Sequence, residues 1–203
     1  PLSVINTSDG GYLLFGGQKL IKIDSSGDVL WENDSYSDAS NAIESIKETE
    51  NGDFIMAVNH GYYDCSAIRI NSSGELIWEN NLKMSSSHSL LFYVGLKHDG
   101  NFVFIGGKND CHCGGGWDIR LLELNQSGSV VWDTILPDGG GDDMAHQFIN
   151  TEDNNYLMVG YRGYSQGSNS NALFTKFGSE LIISEYGLTE NEPEQLFSIT
   201  KSN

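Results

Sequence analysis

Short apolar runs recur along this chain, cut apart by clusters of Gly, Asn, Asp and Ser. Within Leu20-Ile21-Lys22-Ile23 and Ala67-Ile68-Arg69-Ile70 apolar and charged residues alternate, the period of a β-strand. That alternation predicts Ile21, Ile23, Ile68 and Ile70 packed between neighbouring sheets, with Lys22 and Arg69 facing away. No stretch carries the 3.6-residue period of an amphipathic helix.

The runs are phased. Asp9-Gly10-Gly11-Tyr12-Leu13-Leu14, Asn51-Gly52-Asp53-Phe54-Ile55-Met56, Asp99-Gly100-Asn101-Phe102-Val103-Phe104 and Asp153-Asn154-Asn155-Tyr156-Leu157-Met158 each join a turn to an apolar strand. Their turn positions 10, 52, 100 and 154 are 42, 48 and 54 residues apart. A second marker runs from Leu20 to Trp31, Ala67 to Trp78 and Leu121 to Trp132, with a degenerate copy from Leu173 to Ile182 in which the Trp is lost. Each unit reads as strand A, a tight Asn/Asp-Gly turn, strand B, a variable loop, strand C, a Ser-Gly turn and strand D with Trp at its centre. Four antiparallel strands per repeat of about 50 residues predict an all-β chain, a β-propeller of four four-stranded blades. The blades span 1–42, 43–90, 91–144 and 145–195, all in one domain.

The pattern resembles the Asp-Gly-Gly-Tyr … Tyr-Leu-x-Lys-x-Asp-x-x-Gly-x-x-Leu-Trp repeats of secreted bacterial and archaeal propeller proteins, and more loosely the quinoprotein-like repeat. The resemblance implies a secreted or cell-surface propeller. It implies no single activity, because one fold hosts many. Leu2 to Thr7 and Phe197 to Ser202 occupy the same place in the repeat, so residues 196–203 are expected to supply the first strand of a fifth repeat. The reading that follows is part of a larger propeller; the alternatives are pairing of two four-blade halves into an eight-blade ring and a strand-swapped closure.

Charge narrows the partners. With 11 Lys and Arg against 28 Asp and Glu, the net charge of −17 repels phosphate backbones and anionic membranes, which argues against nucleic acid. No apolar run approaches the roughly 20 residues that would cross a bilayer. A protein or glycan at the cell surface is the expected partner, the chain acting as a non-enzymatic interaction or display scaffold. A carbohydrate- or cation-binding module and an enzyme with its site at the channel mouth or outside this segment are the alternatives.

Candidate chemistry lies in the connections. Those from strand D to the next strand A carry Asp38, His88, Asp142 and Asp143, which, with His146 on the following strand, could gather around a channel mouth; a solvated acidic surface is the plainer reading. Trp117, outside the strand D register, reads equally as a stacking platform or a buried anchor. Cys65 and the Cys111-His112-Cys113 run fall in neighbouring B-to-C loops, which predicts a disulfide from Cys65 to Cys111 or Cys113. A zinc site from the same residues with His60 is the sharper alternative, although one residue between two cysteines is tighter than usual. The Asp24 to Asp28, Asn71 to Glu75 and Asn125 to Ser129 segments read as hairpin turns, since a calcium loop's twelve residues and terminal Glu are missing. No cofactor is expected: the contacts a quinone would need across blades, a hydrolase elbow and a zincin motif are not found.

Overall fold

Glycine sets the hairpins. At Gly10, Gly52 and Gly100 (φ 83° to 85°), and at Gly27, Gly74 and Gly128 (φ 82° to 92°), the chain enters the left-handed region that side chains with a Cβ avoid. In each turn the glycine N–H bonds back to the residue three before it, as Gly10 does to Thr7 and Gly74 to Asn71. The turns therefore close where the sequence puts them.

The computed structural model describes residues 3–16, 19–35, 41–61, 64–82, 88–109, 116–136, 141–153, 155–164, 171–177, 183–188 and 197–199. The described residues form strands and turns without a helix, and no helix is long and apolar enough to cross a membrane. The first sheet is β1 (Ser3–Asn6), β2 (Tyr12–Gly16), β3 (Lys19–Ile23) and β4 (Val29–Asn33). The second is β5 (Asn41–Glu48), β6 (Phe54–His60), β7 (Asp64–Ile70) and β8 (Leu76–Asn81). The third is β9 (His88–Leu96), β10 (Phe102–Asn109), β11 (Trp117–Leu124) and β12 (Val130–Ile135). The fourth is β13 (Asp142–Asn150), β14 (Tyr156–Tyr164), β15 (Asn171–Phe177) and β16 (Ile183–Leu188), joined by β17 (Phe197–Ile199). Every sheet is an antiparallel meander in chain order, and the chain is all-β.

The sheets stack in sequence. Leu13, Phe15 and Leu20 of the first pack on Phe54, Met56 and Ile68 of the second. Ile55, Ala57 and Ala67 on its other face meet Phe102, Phe104 and Leu122 of the third. Val103, Ile105 and Leu121 meet Tyr156, Met158 and Leu173 of the fourth. The two middle sheets are thus covered on both faces, and β6, β7, β10 and β11 are buried in unbroken runs where β2 and β3 alternate.

The stacking corrects two expectations: Ile21 and Ile23, on the face of the first sheet that no described sheet covers, are half-buried rather than packed between sheets. Lys22 and Arg69 do face away from the isoleucines, but toward the next sheet rather than solvent, and are 3% and 7% exposed. Burial requires a partner for each charge. Lys22 binds Asp9 of its own A-to-B turn at 2.7 Å. Arg69 binds Asp53 at 2.8 Å, donates to the Gln126 carbonyl at 2.8 Å and lies over the Phe102 ring. Lys176 binds Asp153 of the fourth repeat. The third repeat reverses the charges: Glu123 stands where the others have the cation, and Lys97 replaces the threonine found at positions 7, 49 and 151. Lys97 bonds both carboxylate oxygens of Glu123 at 3.0 Å and Asp99 at 3.0 Å, with Lys97 and Glu123 both buried.

Two differences fall in the fourth repeat. β17, the duplicate of strand A, pairs antiparallel with β16 as a fifth strand, Ile183 opposite Ile199. The outer edge of β16 carries unpaired backbone groups, and the returning segment supplies partners for them. In the pairing of β15 with β16, Ser184 stands opposite Lys176, where Trp31, Trp78 and Trp132 stand opposite Lys22, Arg69 and Glu123. The lost Trp therefore maps to Ser184 and not to Ile182, which lies outside the described residues. The first three C-to-D hairpins each carry a register shift that the β15–β16 pairing does not show.

Lys97→Thr should leave Glu123 buried without its cation and cost about 3 kcal/mol, while Lys97→Thr with Glu123→Lys should regain most of it by rebuilding the pair with Asp99; urea unfolding of the three proteins checks this. The first repeat gives a pH effect. Asp9 is held well below the usual carboxylate range by the hydrogen bond from Lys22, then by those from Thr7 and the Gly11 N–H. A depressed folded pKa stabilises above the unfolded value of about 3.9 and is lost as pH falls through the folded one. Lys22→Met should therefore show a shallower loss of stability between about pH 4 and pH 2 than the parent chain, read by unfolding midpoints across that window.

Candidate functional site

The first strands of the second, third and fourth sheets share an irregularity. Pairing with the neighbouring strand slips by one residue between Ile43 and Ser45, between Leu91 and Tyr93, and between Ala145 and Gln147. Each slip is a β-bulge that leaves one residue without a cross-strand partner: Glu44, Phe92 and His146. The bulged strand presses its backbone on the partner, and in two sheets glycine provides the room. A Cβ at Gly106 would lie 2.0 Å from the Leu90 carbonyl oxygen, and one at Gly160 would lie 2.0 Å from that of Met144. Three successive sheets therefore hold one frame and present an acid, an aromatic and an imidazole at the same register position.

His146, expected to face a channel mouth, is this bulge residue of the fourth sheet. It is exposed and its ring lies 5.8 Å from that of Tyr161. Glu44 is exposed and its Oε1 accepts from the Asn59 amide at 3.3 Å. Asn59 is itself buried, exchanging two hydrogen bonds with the Leu91 backbone at 2.8 and 2.9 Å, which ties the second sheet to the third beside the bulges.

The remaining expected residues gather at the end of the same strands. His88 and Trp117 flank Asn109 across β9, β10 and β11, and their rings lie 6.5 Å apart. The Trp117 indole rests over Gly107, where a Cβ would come within 2.8 Å of it, and its N–H group on the backbone donates to Asp142 Oδ1 at 2.8 Å. Trp117 is half-buried, its ring against Gly107 and His88 of its own sheet and its backbone tied to the fourth, which makes it an anchor more than a free platform. Asp143, 1% exposed, accepts from Arg162 Nε at 2.9 Å and from the Gly163 N–H at 2.7 Å. Both oxygens are used within the fold, so Asp143 organises the site rather than offering a charge to a ligand. Asp38 lies outside the described residues.

The cysteine expectation changes. Cys65 is the second residue of β7 and not part of a loop, is fully buried, and is a free thiol. Its Sγ lies 3.6 Å from Ser89 Oγ and 4.0 Å from Arg120, and burial pushes its pKa up. Alternation settles the direction: Cys65 pairs with Asn59 and faces the third sheet, while His60 pairs with Asp64 and faces the opposite way, with Nε2 2.9 Å from Ser66 Oγ. His60 and Cys65 therefore cannot share a zinc ion. Cys111, His112 and Cys113 lie outside the described residues, and among the described residues no three His, Cys, Asp or Glu side chains gather as a metal site.

Arg120 was missed by sequence reading. It is 3% exposed on β11, pairs with Asp133 through Nε at 2.9 Å and Nη2 at 2.7 Å, and donates through Nη1 to the Leu82 carbonyl at 2.9 Å and Ser89 Oγ at 2.6 Å. Its position in the alternation of β11 was the available signal, and a two-sided sheet is what gives that position meaning. At the opposite end of the strands a hollow of about 310 Å³ opens between the A-to-B turns of the second and third sheets, over Phe102 and beside Asn51 and Lys97. Its ammonium is already held by Glu123 and Asp99.

Fold and site together define an all-β protein of stacked four-stranded meanders whose buried charges serve the frame. No protein-family model matches the chain, and no curated protein does. A crystal structure of a protein of unknown function from Bacteroides caccae is similar in fold, with a TM-score of 0.60 at 14% identity over 98% of this chain. The chain spans 64% of the length of that structure.

Cys65 should resist iodoacetamide in the native chain and react once denaturant is added, as read by mass spectrometry of the peptide that contains it; rapid native labelling would contradict its burial.

Proposed function

We propose that the chain is a section of an extracellular β-propeller that works as a non-enzymatic interaction scaffold, its sheets being successive blades. The observation that carries the reading is the contrast between a repeated frame and unequal bulge residues. Glu44, Phe92 and His146 occupy one register position in three sheets, yet they differ in charge, size and polarity. A fixed frame that varies its displayed side chains suits recognition of a protein or glycan surface, where rigid elements position the contacts. The buried ionisable groups support the same reading. Lys22, Arg69, Lys97, Arg120, Glu123 and Asp143 each meet an internal partner, which leaves them little capacity for acid–base work. The acidic surface favours partners that carry basic or neutral groups.

The propeller reading also draws on the order of the stack, each sheet packing on the next in chain order. The immobilised chain is expected to bind members of a panel of surface glycans and basic extracellular proteins. The triple variant Glu44→Ala, Phe92→Ala, His146→Ala should weaken that binding at least about tenfold with an unchanged circular dichroism spectrum. Binding that ignores the triple variant, or turnover of a panel member that depends on Glu44 or His146, would replace this reading.

A further inference from the structure

The joints between the first and second and between the second and third sheets contain the same lock. Trp31 Nε1 on β4 donates to the Ser72 carbonyl at 3.0 Å, and Asn33, two residues on, donates to the Gly74 carbonyl at 2.8 Å. One sheet later, Trp78 donates to the Gln126 carbonyl at 3.1 Å and Asn80 to the Gly128 carbonyl at 2.8 Å. In both cases the outer strand of one sheet grips the C-to-D turn of the next. The indole covers the turn glycine: a Cβ on Gly74 would lie 3.0 Å from Trp31, and one on Gly128 would lie 2.8 Å from Trp78. It also meets the ring that opens strand B, Trp31 with Phe54 at 6.5 Å and Trp78 with Phe102 at 6.2 Å.

The first sheet carries the receiving half of this lock, and among the described residues nothing fills it. Its turn, Asp24 to Asp28, has the same hydrogen bonds and the same left-handed glycine as the other two, which places the Ser25 and Gly27 carbonyls as the matching acceptors. A Cβ on Gly27 would meet nothing within 4 Å. Tyr12 stands where Phe54 and Phe102 stand, but it is 38% exposed where they are 1% and 0%. On the same face Leu14, Ile21 and Ile23 are only half-buried, although the matching Met56, Ile68 and Ile70 of the second sheet are all at 0%. The chain's own last sheet lacks the gripping half, because β16 puts Ser184 and Tyr186 where Trp31 and Asn33 stand.

We infer that the outer face of the first sheet is a docking surface for a further sheet of this repeat type, one whose fourth strand carries Trp and, two residues later, Asn. This rests on the reading of the sheets as successive blades and adds the chemistry of the unit that precedes the first. The incoming indole sits on Gly27 and Tyr12 and donates to the Ser25 carbonyl, and the Asn amide donates to the Gly27 carbonyl. A second copy docking through its fourth sheet would bring neither donor.

The test adds that unit. Thr7 and Lys97 are equivalent positions 90 residues apart, so a copy of residues 41–90 placed directly before Pro1 keeps the repeat in phase. The extended chain should protect the amides of Leu14 and Ile21 from hydrogen exchange at least about tenfold more than the parent, and should melt in one transition at a higher midpoint. Changing the copied Trp78→Ala should remove most of that protection, and so should Tyr12→Arg in the first sheet. No added protection, or equal protection without the copied Trp, would overturn the inference. So would dimerisation of the unextended chain abolished by Val159→Lys, since it would seat the fourth sheet on the first. Glycan and protein binding through the bulges is measured on the unextended chain, so failure there is separate from failure here.

Discussion

The whole arrangement depends on burying both faces of a β-sheet. A sheet covered on one side needs only alternating side chains, but the second and third sheets are covered on both, so their central strands must be filled at every position. Backbone satisfaction comes from the meander itself. The cost falls on the few charged residues that the alternation carries inward, and each is closed by a partner from a turn or from an adjacent strand. Arg69 and Arg120 extend this outward: besides their carboxylates, Arg69 holds the Gln126 carbonyl of the third sheet and Arg120 holds the Leu82 carbonyl just after the second, which fixes how adjacent sheets sit.

The tryptophans perform the same service at the outer edge. An indole both fills apolar volume and presents one donor, so a single side chain can seal a joint and fix its register. Asn33 and Asn80 add a second donor at a fixed offset, and the pair reads a backbone turn without needing any particular side chain in it. Turns as different as Ser72-Ser73-Gly74 and Gln126-Ser127-Gly128 therefore serve equally well, provided the glycine is retained.

Much of the fold was legible because its determinants are local. The turn glycines and the strand period are fixed by interactions within a dozen or so residues, and the four sheets follow the expected strand order, while the duplicate of strand A joins the fourth sheet instead of opening a fifth repeat. What escaped sequence reading depends on the opposite wall. Lys22 and Arg69 look like solvent-facing positions until a second sheet is laid over them. Cys65 reads as a loop residue when the start of β7 is drawn at Ala67, three residues late, and its direction follows only from the register with β6. The bulges at Glu44, Phe92 and His146 break the alternation by one residue, a signal too small to separate from ordinary irregularity. His88, Trp117 and Asp142 were named as candidates and do gather, but Trp117 turned out to be seated on Gly107 and hydrogen-bonded to Asp142.

The reversed ion pair of the third repeat bears on how such a chain can change over time. Repeated DNA is prone to exchange between neighbouring copies, and equal repeats would survive a crossover at any point. Here a crossover between strands B and C of unlike repeats would join Lys97 to a lysine or arginine, or place Glu123 opposite a turn carboxylate with no cation beside it. Either hybrid would bury like charges together. A swap of two charges, neutral for the folded molecule, thus acts as a barrier that keeps the third repeat from being homogenised with the others.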